Sequence, residues 1–420
     1  MGLVFSILIL FIYIIFLFFS KSDKNIPLIG LLIYSSQIFQ LASPIFGISL
    51  VFLLQLLLIV YFCLNAVYST KFLKIFSIFK NFDVQIIFCY VIFIFIDHFM
   101  LGSSARHEPL NYSFKPIIHL FIIFLLASLA VNSRTPFVTF LSQLRLILWI
   151  NIIMGGYVLL TSQLEAHTSI MLSDDENLGF NSNTFSILCV QILIFELFFL
   201  KKLSIRTFIA LFLPSLLCIL TQSRSGFMAL ILVFFIWFIN YHGRAKYSIL
   251  SFIVIIALFN LKDIAVIDRF FSIVDAVETM DGTNLARFQL SMRAILIFLD
   301  NPFLGTGIGT FHMFRFSYPE TILLSRSNSF VDSHNLYAQL LAETGVIGFG
   351  LFVISVYIIF RNIQVYKLIN PNIYQFLKIN LFLFLFYNLF SHDLYKFYLM
   401  IPIFLALTYS KSEFEMDIKS

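Results

Sequence analysis

Three polar side chains stand out in an oily chain. They are Arg224 in Thr221-Gln222-Ser223-Arg224-Ser225-Gly226, Arg287 in Ala286-Arg287-Phe288, and His334 in Ser333-His334-Asn335-Leu336-Tyr337. A planar guanidinium grips phosphate oxygens two at a time. A neutral imidazole can take a proton from a hydroxyl. Together they form a kit for handling a lipid-linked phosphate beside a group that must lose a proton. Each also has a plainer role. An arginine beside a membrane span can snorkel to lipid headgroups, and a lone histidine can simply hold structure.

Short local elements must present these groups. Arg224 follows the end of one apolar run, and the next begins at once, so Ser223 to Gly226 form a tight turn. Ser223, Ser225 and Gly226 leave backbone N–H groups free at a helix start, which suits an anion. Arg287 falls in the first turns of a helix from Asn284 to Asp300. Its apolar positions are Leu285, Phe288, Met292, Ile295, Leu296 and Leu299, which is helical spacing. Thr283 or Asn284 can cap it, and Pro302 stops it. Arg293, six residues on, points elsewhere. His334-Asn335 opens a helix from Asn335 to Glu343, stopped by Gly345, with Ser333 or Asp332 as its cap. The positive potential at a helix N-terminus favours a neutral imidazole, the form that accepts a proton.

Composition says where these elements sit. Of 420 residues, 60% are hydrophobic and 12% charged, against about 25% charged in soluble domains; mean hydropathy is +0.96. The chain therefore reads as an all-α polytopic membrane bundle, since open strands cannot satisfy their backbone in lipid. Runs of spanning length fall near 2–19, 27–42, 45–67, 83–101, 115–133, 139–163, 183–200, 206–222, 225–241, 247–262, 345–361, 377–391 and 397–410. That is thirteen spans, or twelve if Ser43-Pro44 does not separate two. The first run lacks a basic start and a small-x-small cleavage site, so it reads as a span rather than a removable signal.

Sixteen Lys and Arg fall on one set of short loops, among them Lys21, Lys24, Arg206, Arg244 and Lys367. Four fall on the other set: Arg106, Lys115, Arg224 and Lys396. The positive-inside rule puts the first set in the cytoplasm and the long stretch 263–344 outside. The organisation expected is N-terminal spans over 1–180, a core over 181–410 containing that outer loop, and a cytoplasmic tail over 411–420. The net charge of +5 sorts by loop and does not point to nucleic acid.

Other features have less chemistry. Gly305-Thr306-Gly307-Ile308-Gly309 lacks a preceding strand and a following GK[ST], so it reads as a turn returning the chain to the membrane, not a nucleotide loop. Arg145 and Asp97-His98 are intramembrane charges, functional by default unless paired with one another. Glu196 reads as paired near Lys201 and Lys202. Asp174-Asp175-Glu176 could hold a divalent metal or be a solvated acidic turn. Cys63, Cys89, Cys189 and Cys218 lie in apolar runs without CxxC spacing, as small buried hydrophobes.

In order, the segments 221–226, 286–288, Asn301 to Phe311, and 333–337 running to Glu343-Thr344-Gly345-Val346-Ile347-Gly348 resemble the O-antigen ligase/polymerase superfamily of bacterial membrane glycosyltransferases. The resemblance is carried by motifs over about 180–350 and by topology elsewhere. It implies a metal-independent, cofactor-free enzyme at the periplasmic face of the inner membrane. The donor would be a glycan on undecaprenyl diphosphate, and the acceptor a sugar hydroxyl. A ligase would use the lipid A core as acceptor, and a polymerase a second lipid-linked repeat unit. Arg224 and Arg287 would bind the diphosphate and His334 would act on the acceptor, with Ser223 and Asn335 supporting. The ligase type is the reading taken. A flippase or other transporter would instead want charges lining mid-membrane spans and inverted repeats.

Overall fold

The computed structural model describes residues 82–100, 137–165, 182–199, 204–221, 223–240, 282–311 and 333–389, with single positions at 57, 60 and 314. Every regular element among them is a helix, in keeping with the all-α expectation. In chain order these are α1 (Phe82–Met100), α2 (Phe137–Glu165), α3 (Ser182–Phe198), α4 (Ile205–Leu220), α5 (Arg224–Asn240), α6 (Gly282–Asp300), α7 (Leu336–Ile369) and α8 (Pro371–Tyr387). The expected spans 2–19, 27–42, 115–133, 247–262 and 397–410 lie outside the described residues, as does nearly all of 45–67.

Caps start several of these helices where apolar periodicity alone does not. Ser204 accepts from Thr207 N at the head of α4. Asn370 accepts from Asn372 N and Ile373 N at the head of α8, and Pro371 occupies the first turn, where its missing N–H is no loss. The span expected over 377–391 therefore begins six residues earlier.

The helix α3 is the hub. From Phe185 to Leu197 every residue is buried, and α2, α4, α5 and α8 pack around it. A helix apolar on all sides belongs in an interior. Other helices turn large apolar side chains outward instead. On α5 these are Ile231, Phe235 and Ile239, and on α7 Val353, Ile354, Tyr357 and Phe360. Such stripes suit a lipid-facing surface better than water. Leu336–Leu368 is long and apolar enough to cross a bilayer by itself, and α1 to α5 contain shorter apolar stretches.

Polar pairs tie the bundle across its helices. Arg145 on α2 grips both oxygens of Glu196 on α3 (2.7 Å each), and Trp149 Nε1 donates to the same carboxylate at 2.9 Å. The partner of Arg145 is thus Glu196, not Asp97; the arginine is 50% exposed and the carboxylate 6%. Fork-to-fork geometry satisfies a carboxylate that apolar surroundings would otherwise penalise. Asp83 on α1 pairs with Arg361 and Asn362 on α7. Gln191 on α3 bonds Asn380 on α8. Cys189 and Cys218 are buried free thiols as expected, but Cys89 is exposed on an outward face of α1.

Candidate functional site

The first part of the site is one end of the bundle. Successive helices α3, α4 and α5 alternate in direction, so the start of α3, the end of α4 and the start of α5 meet. Ser223 joins them. Its hydroxyl donates to Asn183 Oδ1 at 2.7 Å and accepts from Gly226 N at 3.2 Å, and its own N–H reaches Thr221 Oγ1 at 3.3 Å. Ser223 is therefore the residue that opens α5, and Arg224 is the first residue inside it. A Cβ on Gly226 would overlap the Ser186 side chain. Glycine is needed there because α5 begins so close to α3. The arginine thus stands at a helix N-terminus, where backbone dipoles favour anions.

The second part joins α6, the loop before α7, and the end of α8. Asn335 is the cap of α7. It sits in extended conformation (φ −141, ψ 107), and its side chain accepts from Tyr337 N and Ala338 N. This corrects the expectation that Ser333 or Asp332 caps the helix. Ser333 instead donates its hydroxyl to Asn335 O at 2.7 Å and accepts from Asn335 N at 3.2 Å. Between them, His334 has φ 55, the sole positive φ of a non-glycine among the described residues. Such a conformation costs on the order of 1–3 kcal/mol and persists only where the surroundings enforce it. Leu336 N donates to Asn388 O beyond α8, and Tyr337 Oη donates to Leu385 O. The end of α8 is thereby fixed to the histidine loop, and α8 also packs on α3 and α5.

Ser291 on α6 donates to Ser333 O at 3.4 Å. Arg287 lies one helical turn before Ser291 in α6. The helix α6 thus reaches the carbonyl that precedes His334, while Arg224 begins α5. Arg293 is buried.

The third part is the glycine string, and it does more than turn the chain. α7 is broken at Gly345 (φ 62, ψ −168), a conformation open essentially to glycine alone. The helix expected over Asn335 to Glu343 and the span expected from 345 are thus one kinked helix. In an unbroken helix, Val346 N and Ile347 N would bond Ala342 O and Glu343 O. Here all four groups are served by the loop after α6. Thr306 N donates to Ala342 O (3.1 Å) and Gly307 N to Glu343 O (2.8 Å). Val346 N donates to Pro302 O (2.8 Å) and Ile347 N to Phe303 O (3.2 Å). The loop is a hydrogen-bonded splice across the break. Gly305 and Gly345 face each other there, and a Cβ on either would overlap backbone atoms of the opposite strand.

Two buried carboxylates hold the rest of this loop. Asp97 at the end of α1 accepts from Ile308 N at 3.0 Å, so its partner is backbone and not Arg145. Glu343 accepts from Phe311 N and from Gln339 Nε2, both at 3.1 Å. Gln339 Oε1 in turn accepts from Ser333 N and Ser333 Oγ. Gln339, Ser291 and Asn388 were not singled out from sequence. The available signal was the pair Gln339 and Glu343, polar at i and i+4 on an otherwise apolar helix. Among the described residues no three of His, Cys, Asp and Glu gather as a metal-ligating group; Asp174 to Glu176 lie outside them.

Residues 209–353 match the family model described as O-Antigen ligase. The match takes in α5, α6, the glycine splice and the first half of α7, and with them Arg224, Arg287 and His334. No curated protein matches the chain.

Proposed function

We propose, from the O-antigen ligase/polymerase superfamily domain that the chain carries over residues 209–353, that it is a membrane glycosyltransferase of the ligase type. It moves a glycan from undecaprenyl diphosphate to a sugar hydroxyl of the lipid A core. The supporting observation is His334, held at φ 55 in a loop whose Ser333 carbonyl accepts from Ser291, itself one turn of α6 after Arg287. In this reading the acceptor oxygen attacks the anomeric carbon opposite the leaving group, so the centre inverts. The imidazole of His334 receives the hydroxyl proton. The glycosidic C–O bond breaks and its electrons leave with undecaprenyl diphosphate. The guanidiniums of Arg224 and Arg287 stabilise that developing charge, as preset donors do in a site of low dielectric. Ser223 and Asn335 support by fixing the helix starts beside these groups. The expected twelve or thirteen spans, the core over 181–410 and the outer loop 263–344 are the setting this reading requires.

A strain lacking the gene, analysed by lipopolysaccharide gel, tests it. Loss of the whole ladder with accumulation of lipid-linked polymer supports a ligase. Single capped repeats would make it a polymerase, and an unchanged ladder would remove both. Complementation by Arg224→Lys should leave most of the defect, because an ammonium is a point charge where a planar fork grips two oxygens. A normally expressed Lys variant that restores the ladder would return Arg224 to anchoring lipid headgroups.

The periplasmic placement has its own check. A cysteine replacing Ser327 should react with an impermeant maleimide in cells whose outer membrane alone is permeabilised. Reaction only after lysis would reverse the topology and move the site to the cytoplasm.

A further inference from the structure

We propose that Gln339 and Glu343 are positioning residues that set the backbone of His334 for proton abstraction, an inference that rests on His334 being the base. The bonds run in one direction. Glu343 is buried and takes Phe311 N and Gln339 Nε2 on a single oxygen, Oε1. The Gln339 amide turns its NH₂ toward Glu343, which aims Oε1 at Ser333. That oxygen accepts from Ser333 N at 3.3 Å and lies 3.1 Å from Ser333 Oγ, whose single hydrogen it shares with Asn335 O. Ser333 O is held from the other side by the Ser291 hydroxyl. Ser333 is thus held at both its own N–H and its C=O, the latter being the carbonyl of the peptide that enters His334, and the N–H of the peptide that leaves His334 is held by Ser333 Oγ.

These contacts are separate from what the helix needs to start. Asn335 already caps α7, and Leu336 and Leu340 already pack into its core. The loop from Ser333 to Asn335 is where a left-handed residue must be enforced. Glu343 also ties this clamp to the glycine splice through Phe311. A shift of the splice would therefore reach the histidine through two side chains.

The test uses the purified full chain with a prenyl-diphosphate-linked glycan as donor and a free core oligosaccharide as acceptor. Gln339→Leu should lower kcat by about 10²-fold, the scale of a small misplacement of a reacting group, with donor KM within about twofold. A merely structural role would lower the amount of folded enzyme and leave kcat per folded molecule unchanged. Gln339→Glu places a second carboxylate against Glu343 and should be at least as damaging. Gln339→Met, unbranched and of similar length, keeps the packing without the amide and should lose kcat to the same degree. Wild-type kcat in Gln339→Leu would overturn the proposal. So would wild-type kcat in Gln339→Met, even if Gln339→Leu does not fold. Activity surviving in His334→Ala would instead remove the premise that His334 is the base, whatever Gln339 does.

Discussion

His334→Ala should lower glycan transfer by about 10²–10⁴-fold, the range for loss of a general base, while the donor remains bound. The arginines belong to α5 and α6, not to the loop that carries the histidine, so under the proposed roles donor binding should not depend on the imidazole. Two further variants separate chemistry from conformation. Asparagine tolerates positive φ better than most residues, so His334→Asn keeps the backbone at φ 55 without supplying a base. His334→Gln keeps a side chain able to donate or accept a hydrogen bond. Both should be as inactive as alanine. A glutamine variant transferring at more than a small fraction of the wild-type rate would leave His334 a structural role and the two arginines as the remaining catalytic groups.

Gly345→Ala should destabilise the protein by several kcal/mol. Its φ and ψ alone cost an alanine about 1–3 kcal/mol. The new Cβ also meets Phe303 O and the Gly305 amide, so the four bonds of the splice cannot all survive, at roughly 1 kcal/mol each. Typical net stabilities are only about 5–15 kcal/mol. Gly350→Ala is the matched control. It lies in the same helix with no heavy atom within 4 Å of an added Cβ, and alanine there should be neutral or stabilising by up to about 1 kcal/mol. Thermal unfolding of both variants in one detergent gives the comparison. An unshifted transition in Gly345→Ala would mean that the break in α7 tolerates a side chain and is not held as described.

The helices that could be compared were legible because long apolar runs in a bilayer leave few alternatives. The expected 139–163, 183–200, 206–222 and 225–241 fall within a few residues of α2 to α5, and the Asn284 to Asp300 pattern within two of α6. What misled was treating Gly345 as a stop. Glycine ends helices when its residue leaves the helix path for good. Here the chain departs for one residue and resumes, because a distant loop supplies the missing bonds. No local pattern announces a partner so far away. The same is true of Asp97, whose acceptor role depends on Ile308, and of Arg145, whose carboxylate is 51 positions along the chain. His334 was visible by type and motif, but its left-handed backbone depends on Ser291, Ser333 and Gln339 acting together. Charge in an apolar helix announces that a partner exists and leaves its identity to the packing.

The splice also changes what kind of folding problem α7 presents. An ordinary helix closes rings of four residues and can nucleate by itself. At its break, α7 closes with groups 36 positions away, as in Thr306 and Ala342. The entropy of closing a loop grows as about 1.5RT times the logarithm of its length. Going from four residues to about forty therefore adds roughly 2 kcal/mol before any of the bonds is made. Contacts of that range form late. The stretch from Val346 onward can settle as an independent span, whereas the turns carrying Asn335 to Thr344 wait for α6 and its glycine loop to arrive. The histidine end of the molecule is thus assembled as a long-range event on a scaffold of short-range ones.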